Sequence, residues 1–245
     1  MKYPYSKTIS LILFASCMSC YADSLDTIHN RGWVRCGIDI DNETNTINQH
    51  DEVEGFQANN CRALAVALFD DVYAVELVNL KHSDPLQALQ DHHVDIAFPS
   101  RHLSLNQLSA TNTQRVSFNY HHQKDNSIAY STGAIVRKND ESLKNLVKWL
   151  SDSQILAEQE NISSHNIESN ASFAADNKSF AALFASAQAR QTPVNPTMLY
   201  NVISKVGNYG EMFSRHIDQE MRNPIPRGRN TIDTSSSMIS PEAVT

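Results

Sequence analysis

The sequence predicts an α/β protein in which a βαβαβ unit is followed by a mainly helical region. Two observations support this fold class. Strand-like and helix-like segments alternate between residues 33 and 98, and apolar residues recur at helical spacing from Glu141 onward. Such alternation is typical of a parallel sheet with helical crossover connections. The chain of 245 residues is long enough for one large domain or two small ones.

A short helix over residues 25–31 precedes the unit. The first half of the unit then consists of a strand (33–38), a polar loop (39–54) and a longer helix (55–69). Gly32 follows the short helix at the position where a left-handed cap is common. In the longer helix, Leu64, Ala67 and Leu68 recur at helical spacing, which indicates one buried face.

The second half begins with a strand over residues 72–80, where β-branched residues are enriched in an alternating pattern. Ser83 or Asp84 is the expected N-cap of the next helix, because Pro85 suits its first turn. The apolar run 94–98 suits a buried third strand, which ends at a proline.

Two further β-like runs and a series of helices follow the unit. The runs cover residues 115–120 and 128–136 and are separated by a polar segment. The first helix of the series places its apolar residues, from Leu143 to Leu150, on one face. From residue 221 onward, prolines and a serine run indicate an irregular tail.

The N-terminus has the pattern of an export signal over residues 1–22. Lys2 and Lys7 form its basic part, an apolar stretch too short to span a bilayer follows, and small residues favour cleavage near Ala22. Two alternatives stay open. One is a lipoprotein signal with Cys17 as the lipid-bearing residue, and the other is an N-terminal helix of the fold.

The charge of the chain excludes one class of partner. Removing residues 1–22 takes the formal net charge from −7 to −9 with histidines neutral, because this segment carries two lysines and no acidic residue. Contacts with nucleic-acid phosphates need clustered lysine and arginine. We therefore expect no nucleic-acid partner.

The cysteines predict a disulfide. Two of the four lie in the predicted signal, so the mature chain keeps Cys36 and Cys61. In an oxidising compartment these two are expected to bridge the first strand and the first long helix. The alternative is two separate buried thiols. Two cysteines are too few for a Cys₄ zinc site.

Several short motifs occur in an order known from one family. In the unit they are Leu25–Gly32, Arg35-Cys36-Gly37, Gly55-Phe56, Cys61-Arg62-Ala63, Gln87–Gln90 and Val94-Asp95-Ile96. Further along they are Gly133–Arg137, Val147–Trp149, Val206–Phe213 and Pro226–Asn230. With these motifs the chain resembles the periplasmic amino-acid-binding proteins of ABC importers (bacterial extracellular solute-binding protein family 3), in particular the general L-amino-acid branch.

The resemblance implies the fold, the ligand and the partner. The fold is a type II periplasmic-binding-protein-like lobe with strand order 2-1-3. The ligand is an amino acid or similar small polar solute, and the partner is an inner-membrane ABC permease. The resemblance also implies a periplasmic location and supports the Cys36–Cys61 pair, since that branch carries both cysteines.

Two departures from the family pattern are large. The family places the sheet and helices of its second lobe between segments that match residues 120–126 and 133–137, so we expect a truncated second lobe. The family also places an arginine, which clamps the ligand α-carboxylate, twelve residues after the aspartate that matches Asp95. That position is Gln107 here, which can donate a hydrogen bond but carries no charge.

Four residues after the third strand are the candidates for ligand contact. Ser100, Arg101 and His102 follow the strand directly, where α/β folds gather ligand groups, and Gln107 lies further on. Arg101 is the candidate to replace the missing arginine as the carboxylate contact. The alternative for each is a solvated surface residue.

Two aromatic residues are assigned to the core. Phe56, at the start of the first long helix, is expected to pack inside the protein rather than to form a platform for ligand. The motif 208–210 is interpreted as a helix break with Tyr209 packed inward.

Metal and catalytic chemistry are not indicated. The adjacent histidines at 92–93 and 121–122 diverge on a helix or a strand, so neither pair chelates one ion. No nucleophile elbow, phosphate loop or His-Glu-x-x-His motif occurs in the sequence. We expect no metal, no cofactor and no enzyme activity.

The expected organisation begins with a signal peptide (1–22) and an α/β ligand-binding lobe (23–120). A remnant of the second lobe with the crossover (121–140), a helical region packed on the lobes (141–222) and an irregular tail (223–245) follow. The expected function is that of an exported solute-binding protein for an amino-acid importer. The alternative is a receptor-derived periplasmic interaction or scaffold protein that has lost amino-acid binding.

Overall fold

A computed structural model describes residues 24–40, 45–99, 103–116, 119–122, 128–170, 172 and 177–218. The predicted signal peptide and the predicted irregular tail lie outside these residues. Among the described helices, none is long and apolar enough to cross a membrane.

The strands and helices of the βαβαβ unit follow the predicted order, but the predicted polar loop over residues 39–54 contains two short strands that pair antiparallel, the second of which extends to Gly55. The strands are β1 (Val34–Ile38), β2 (Asn45–Ile47), β3 (Val53–Gly55), β4 (Val75–Asn79), β5 (Ile96–Phe98), β6 (Thr113–Arg115), β7 (Asn119–His122), β8 (Ile128–Thr132) and β9 (Ile135–Arg137). The helices are α1 (Ser24–Arg31), α2 (Phe56–Phe69), α3 (Pro85–Gln90), α4 (Leu105–Ala110), α5 (Glu141–Gln159), α6 (Lys178–Ala189), α7 (Pro196–Lys205) and α8 (Tyr209–Phe213). A π-helical turn, Ser214–Asp218, continues α8.

The main sheet confirms the predicted fold class and strand order. Its five strands lie in the order β4-β1-β5-β9-β6. The first three belong to the βαβαβ unit and pair in parallel in the predicted 2-1-3 order, with Gly37 between Val78 and Ala97. A Cβ atom at Gly37 would lie 2.3 Å from a methyl carbon of Leu80, so a larger residue at this position would force the buried Leu80 side chain to move.

The other two strands of the main sheet come from the chain beyond the unit. β9 pairs antiparallel with both neighbours, so that Ile135 lies opposite Ala97 on β5 and opposite Arg115 on β6. β5 and β6 each run antiparallel to β9, and β6 therefore runs parallel to β5. The carboxyl ends of β1, β4, β5 and β6 therefore lie along one edge of the sheet, which we name the carboxyl edge.

The single β-like run predicted over residues 128–136 is divided between two sheets. β8 pairs with β7 in a separate two-stranded sheet, whereas β9 enters the main sheet. An alternating pattern predicts an extended strand but does not specify the strand with which it pairs. The β7–β8 hairpin connects β6 to β9 at the carboxyl edge, in the part of the chain where the resemblance places the second lobe.

Local sequence signals predict two helix ends correctly. The amide of Gly32 donates to the carbonyl of Ile28 and closes α1, with Gly32 at φ +88°. At α3, the Asp84 carboxylate accepts a hydrogen bond at 3.0 Å from the backbone amide two residues on, and Pro85 occupies the first turn. Asp84 rather than Ser83 is therefore the N-cap.

The sheet and the helices share a buried apolar core. Within it, the Cys36–Cys61 disulfide joins β1 to α2, and both residues are fully buried. The disulfide that the sequence predicts is thus part of the structure. It fixes α2 against the sheet and so restricts the loop that leads from β1 to α2.

Phe56 and Tyr209 occupy core positions, as the sequence predicts. The Phe56 ring lies edge-on to two rings of the C-terminal region, with centroid distances of 5.7 Å to Tyr209 and 6.2 Å to Phe213. Asn208 lies in the break between α7 and α8 and caps α8 by accepting the amide of Glu211 at 2.8 Å. The family-like motif at 208–210 therefore attaches the C-terminal helices to the start of α2.

Candidate functional site

The loops at the carboxyl edge form the candidate ligand site, because α/β folds bind small molecules outside the carboxyl ends of parallel strands. Four strands end at this edge, at Ile38, Asn79, Phe98 and Arg115. The amide oxygen of Asn79 accepts backbone amides from the chain after β1 and after β4, at 3.3 and 3.0 Å. It thereby holds these two loops together.

A buried amide organises the loop between β1 and α2. The fully buried Asn45 side chain donates to the carbonyl of Asp39 at 2.8 Å and to the side-chain oxygen of Gln57 at 2.7 Å. Its own oxygen accepts the backbone amide of Ala58 at 3.1 Å. This last bond satisfies one of the first amides of α2, which has no side-chain cap at its N-cap residue.

Three of the four predicted contact residues, Ser100, Arg101 and His102, lie outside the described residues. The described chain resumes at Leu103, which is buried, and α4 begins shortly afterwards. The ligand roles of these three residues stay predictions.

Gln107 is exposed and participates in the start of α4. Its side-chain oxygen accepts the backbone amide and the hydroxyl of Ser104, both at 2.9 Å, and the Ser104 hydroxyl accepts the Gln107 amide at 3.3 Å. These reciprocal bonds form a capping box. The spacing Ser104-x-x-Gln107 is the sequence signature of that motif, and it would have predicted α4. A ligand role for Gln107 stays a prediction.

Gln107→Ala is expected to lower the free energy of unfolding by about 0.5–1 kcal/mol, because half of the capping box is lost. Chemical denaturation measures this change. Asn106→Ala is the matched control, since Asn106 is the exposed neighbour on the same turn. Equal effects of the two substitutions would contradict a stabilising role for the Gln107 side chain.

Arg115 is a charged residue at the carboxyl edge that the sequence patterns do not indicate as a ligand contact. Its Nη2 donates to the carbonyl of Leu103 at 2.6 Å, so the guanidinium lies against the end of the predicted ligand loop. Burial lowers the pKa of the Arg115 guanidinium. Arginine nevertheless stays protonated at neutral pH. The sequence marks Arg115 only as the start of a β-like run, and its place at this edge depends on the sheet order.

Asp95, in the family-like motif before β5, lies at the opposite edge of the sheet. Its carboxylate forms an ion pair with Arg31 and accepts the backbone amide of Arg35 at 2.8 Å. The side chains of the ion pair are only 8% and 13% exposed, for Asp95 and Arg31 respectively. Asp95 therefore attaches α1 and β5 to the start of β1.

The described residues at the carboxyl edge carry hydrogen-bonding amides, the Asp39 carboxylate directly after β1 and the Arg115 guanidinium, groups that suit a small polar solute. In the described part of the chain, no three His, Cys, Asp or Glu side chains lie close enough together to hold a metal ion.

The fold defines the chain as a periplasmic-binding-protein-like α/β protein. It matches the structure of an ABC transporter periplasmic binding protein from Brucella ovis with glutathione bound, with a TM-score of 0.74 and 18% sequence identity. The match covers 86% of this chain and 96% of that chain. At this identity it establishes the fold.

The sequence is also homologous to a curated binding protein. Over 101 residues, 41% of this chain, the sequence is 29% identical to the protein named "Putative amino-acid ABC transporter-binding protein YhdW" of Escherichia coli K12, and it matches the O157:H7 form equally. The match spans 30% of the length of these relatives. No protein-family model matches the chain. The resemblance of the sequence to amino-acid-binding proteins of ABC importers is confirmed.

Proposed function

We propose that this protein is an exported solute-binding protein of the amino-acid ABC importer type. It binds an amino acid or a similar small polar solute at the carboxyl edge. The observation that carries this proposal is the convergence of four parallel strand ends at the edge where this fold class holds its ligands. The homology to an amino-acid ABC transporter-binding protein supports the same conclusion.

In this proposal the protein acts in the periplasm after cleavage near Ala22 and presents its solute to an inner-membrane permease. Residues 23–120 form the ligand-binding lobe, and residues 121–140 contain the remnant of the second lobe and the crossover, from which β9 enters the main sheet. Residues 141–222 pack on the lobe as its helical region. With a hairpin in place of a full second lobe, one side of the solute stays in water. Closure then supplies few differential contacts, and the affinity is modest.

Ser100, Arg101 and His102 in the loop after β5, together with Gln107 in α4, are the proposed polar contacts. The loop leaves the carboxyl edge, and its far end is fixed by the bond from Arg115 to Leu103. A loop that is restrained at both ends loses less conformational entropy when it binds a ligand.

A thermal-shift panel with the common L-amino acids at millimolar concentration tests the proposal. We expect at least one of them to raise the melting temperature. Stabilisation follows RT ln(1 + [L]/Kd), so a tenfold excess over Kd gives about 1.4 kcal/mol and a thousandfold excess about 4 kcal/mol. If no amino acid changes the melting temperature, the receptor function is rejected.

The second candidate function is a receptor-derived interaction or scaffold protein without an amino-acid ligand. The observation that favours it is the uncharged residue at position 107, whose side-chain oxygen is bound within its own helix. The same panel separates the two candidates, because the scaffold protein shows no stabilisation by any amino acid.

A further inference from the structure

A buried histidine attaches the C-terminal end of the described chain to α2. His216 lies in the π-helical turn Ser214–Asp218 and is only 5% exposed. Its Nε2 atom lies 2.7 Å from Nδ2 of Asn59, which is also buried. Asn59 lies in the first half of α2. The contact therefore joins two segments that are separated by 157 positions in the sequence.

Arg62 fixes the orientation of the Asn59 amide. Its Nη1 donates to Oδ1 of Asn59 at 3.1 Å, and a guanidinium can only donate. The amide therefore presents its oxygen to Arg62 and its nitrogen to His216. Because that nitrogen donates, Nε2 of His216 must accept and carries a lone pair. The imidazole is consequently neutral, with its proton on Nδ1.

A proton on Nε2 of His216 is incompatible with this arrangement. Two donors would then face each other across 2.7 Å. Rotation of the Asn59 amide would present its oxygen to His216, but its nitrogen would then face the guanidinium, and the bond to Arg62 would be lost. In either orientation the network loses a hydrogen bond. The positive imidazolium would also share Asn59 with a positive guanidinium, which disfavours the charged form.

A cleft of about 500 Å³ lies beside the contact between Asn59 and His216. Among the described residues, its charged and titratable lining groups are those of Glu52, Glu54, Arg62, Tyr73, Lys205 and Arg215. Burial lowers the pKa of the Arg62 guanidinium, and Glu52 and Glu54 act in the opposite direction, so both carboxylates lie near Arg62. Arginine stays protonated at neutral pH, so the positive charge beside Asn59 is permanent.

The other charged groups near the turn are engaged with partners of their own. Lys205 on α7 pairs with the Asp70 carboxylate at 2.5 Å. Glu211, on the helix α8 that leads into the turn, accepts the hydroxyl of Ser164 at 2.6 Å and the amide of Asn208 at 2.8 Å. These carboxylates therefore already serve other donors.

Arg62 extends the network to the loop between β1 and α2. Its Nη2 donates to the carbonyl of Val53 on β3 at 2.6 Å. β3 pairs with β2, where the Asn45 side chain accepts one of the first amides of α2. Hydrogen bonds thus connect His216, through Asn59 and Arg62, to the loop that starts at the carboxyl edge.

We propose that His216 is a pH-sensitive switch, which holds the C-terminal turn on α2 while its imidazole is neutral and releases the turn when the imidazole takes up a proton. Histidine in an unfolded segment has a pKa of about 6.5. The attached state excludes the proton, so its stability is present above this pH and is lost as the pH falls below it. The switch goes beyond the proposed function, because it needs no solute.

Equilibrium denaturation and amide hydrogen exchange at about pH 7.5 and about pH 5.5 test the switch. Over this interval a free histidine changes from about one-tenth to about nine-tenths protonated. We therefore expect the folding equilibrium constant to fall about tenfold through His216. The protection of the amides of residues 214–218, corrected for the pH dependence of exchange itself, should fall by about the same factor.

His216→Gln separates this effect from that of other titrating groups. Glutamine keeps a side-chain oxygen that can accept from Asn59, but it takes up no proton. The folding constant and the turn protection of this variant should therefore fall about tenfold less than those of the wild-type protein. His165→Gln is the matched control, because His165 is exposed, and it should follow the wild-type protein.

Asn59→Asp is expected to reverse the dependence on pH. A carboxylate at this position accepts from both Arg62 and a protonated imidazole, so it favours the charged form of His216. The turn protection of this variant relative to the wild-type protein should therefore rise as the pH decreases from about 7.5 to about 5.5.

An equal pH response of the wild-type protein and His216→Gln overturns the switch. A difference in the folding constant without a loss of turn protection also overturns it, because the turn then stays attached. If His216→Gln does not fold, Asn59→Asp decides, and a response equal to that of the wild-type protein overturns the proposal. These measurements contain no solute, so their failure leaves the proposed receptor function standing.

Discussion

Asp95→Ala is expected to lower the free energy of unfolding by about 3–5 kcal/mol. The substitution leaves the guanidinium of Arg31 buried without its carboxylate, and removing one partner of a buried ion pair typically has this effect. It also removes the acceptor of the Arg35 amide. A loss of this size is a large fraction of the stability of an ordinary domain, so equilibrium denaturation in urea should show it as a lower midpoint.

An exposed ion pair that joins β1 to β4 is the control. The Arg35 and Glu76 side chains are separated by 3.5 Å but are 38% and 54% exposed. Glu76→Gln is therefore expected to change the stability by about 0.5 kcal/mol or less. The double variant with Arg31→Met and Asp95→Asn should lose less free energy of unfolding than the two single variants lose in sum, because the double variant leaves no buried charge unpaired. Strict additivity would contradict a coupled pair.

Loss of the Cys36–Cys61 disulfide is expected to lower the free energy of unfolding by about 3 kcal/mol, by the model in which the bridge restricts the unfolded chain. The two cysteines are separated by 25 positions, which sets the size of the loop that is opened. The variant to measure is Cys36→Ala with Cys61→Ala, because both sites are fully buried and alanine adds no polar group. Equilibrium denaturation measures the difference from the wild-type protein.

A reducing agent provides the control for this second prediction. Denaturation of the wild-type protein in its presence should approach the curve of the double alanine variant, whereas the curve of that variant should not change. The alternative of two separate buried thiols makes the opposite prediction, since a reducing agent then leaves the wild-type curve where it is. The same two curves therefore measure the effect of the bridge and test its presence.

Much of the fold was predictable because its signals are local. Gly32 and the Asp84-Pro85 pair end and begin helices through contacts with residues only a few positions away. The alternation through residues 33–98 predicted the strands and helices of the unit, and the family motifs added their order in the sheet. Helix α4, which the periodicity of the sequence does not reveal, carries its own local signal in Ser104 and Gln107.

The candidate site was less predictable because its members come from separate strands. The spacing from Asp95 indicates Gln107 as a ligand contact, yet Asp95 contacts α1 and β1 before β5, whereas the Gln107 side chain bonds within the start of α4. Arg115 was not chosen, because nothing near it in the sequence indicates that β9 pairs with β6. Ser100, Arg101 and His102 were placed by their position after β5, and they stay predictions.

By itself, the sequence determined the class of this protein. Periodicity, helix caps, the cysteine pair and the order of the motifs identify a periplasmic-binding-protein-like lobe, because each of these signals depends on neighbours in the chain or on shared ancestry. Only the tertiary structure decided which charges meet at which edge. Arg115 reaches the carboxyl edge and Asp95 the opposite one because strand pairing joins distant residues, and a strand pattern does not encode its partner.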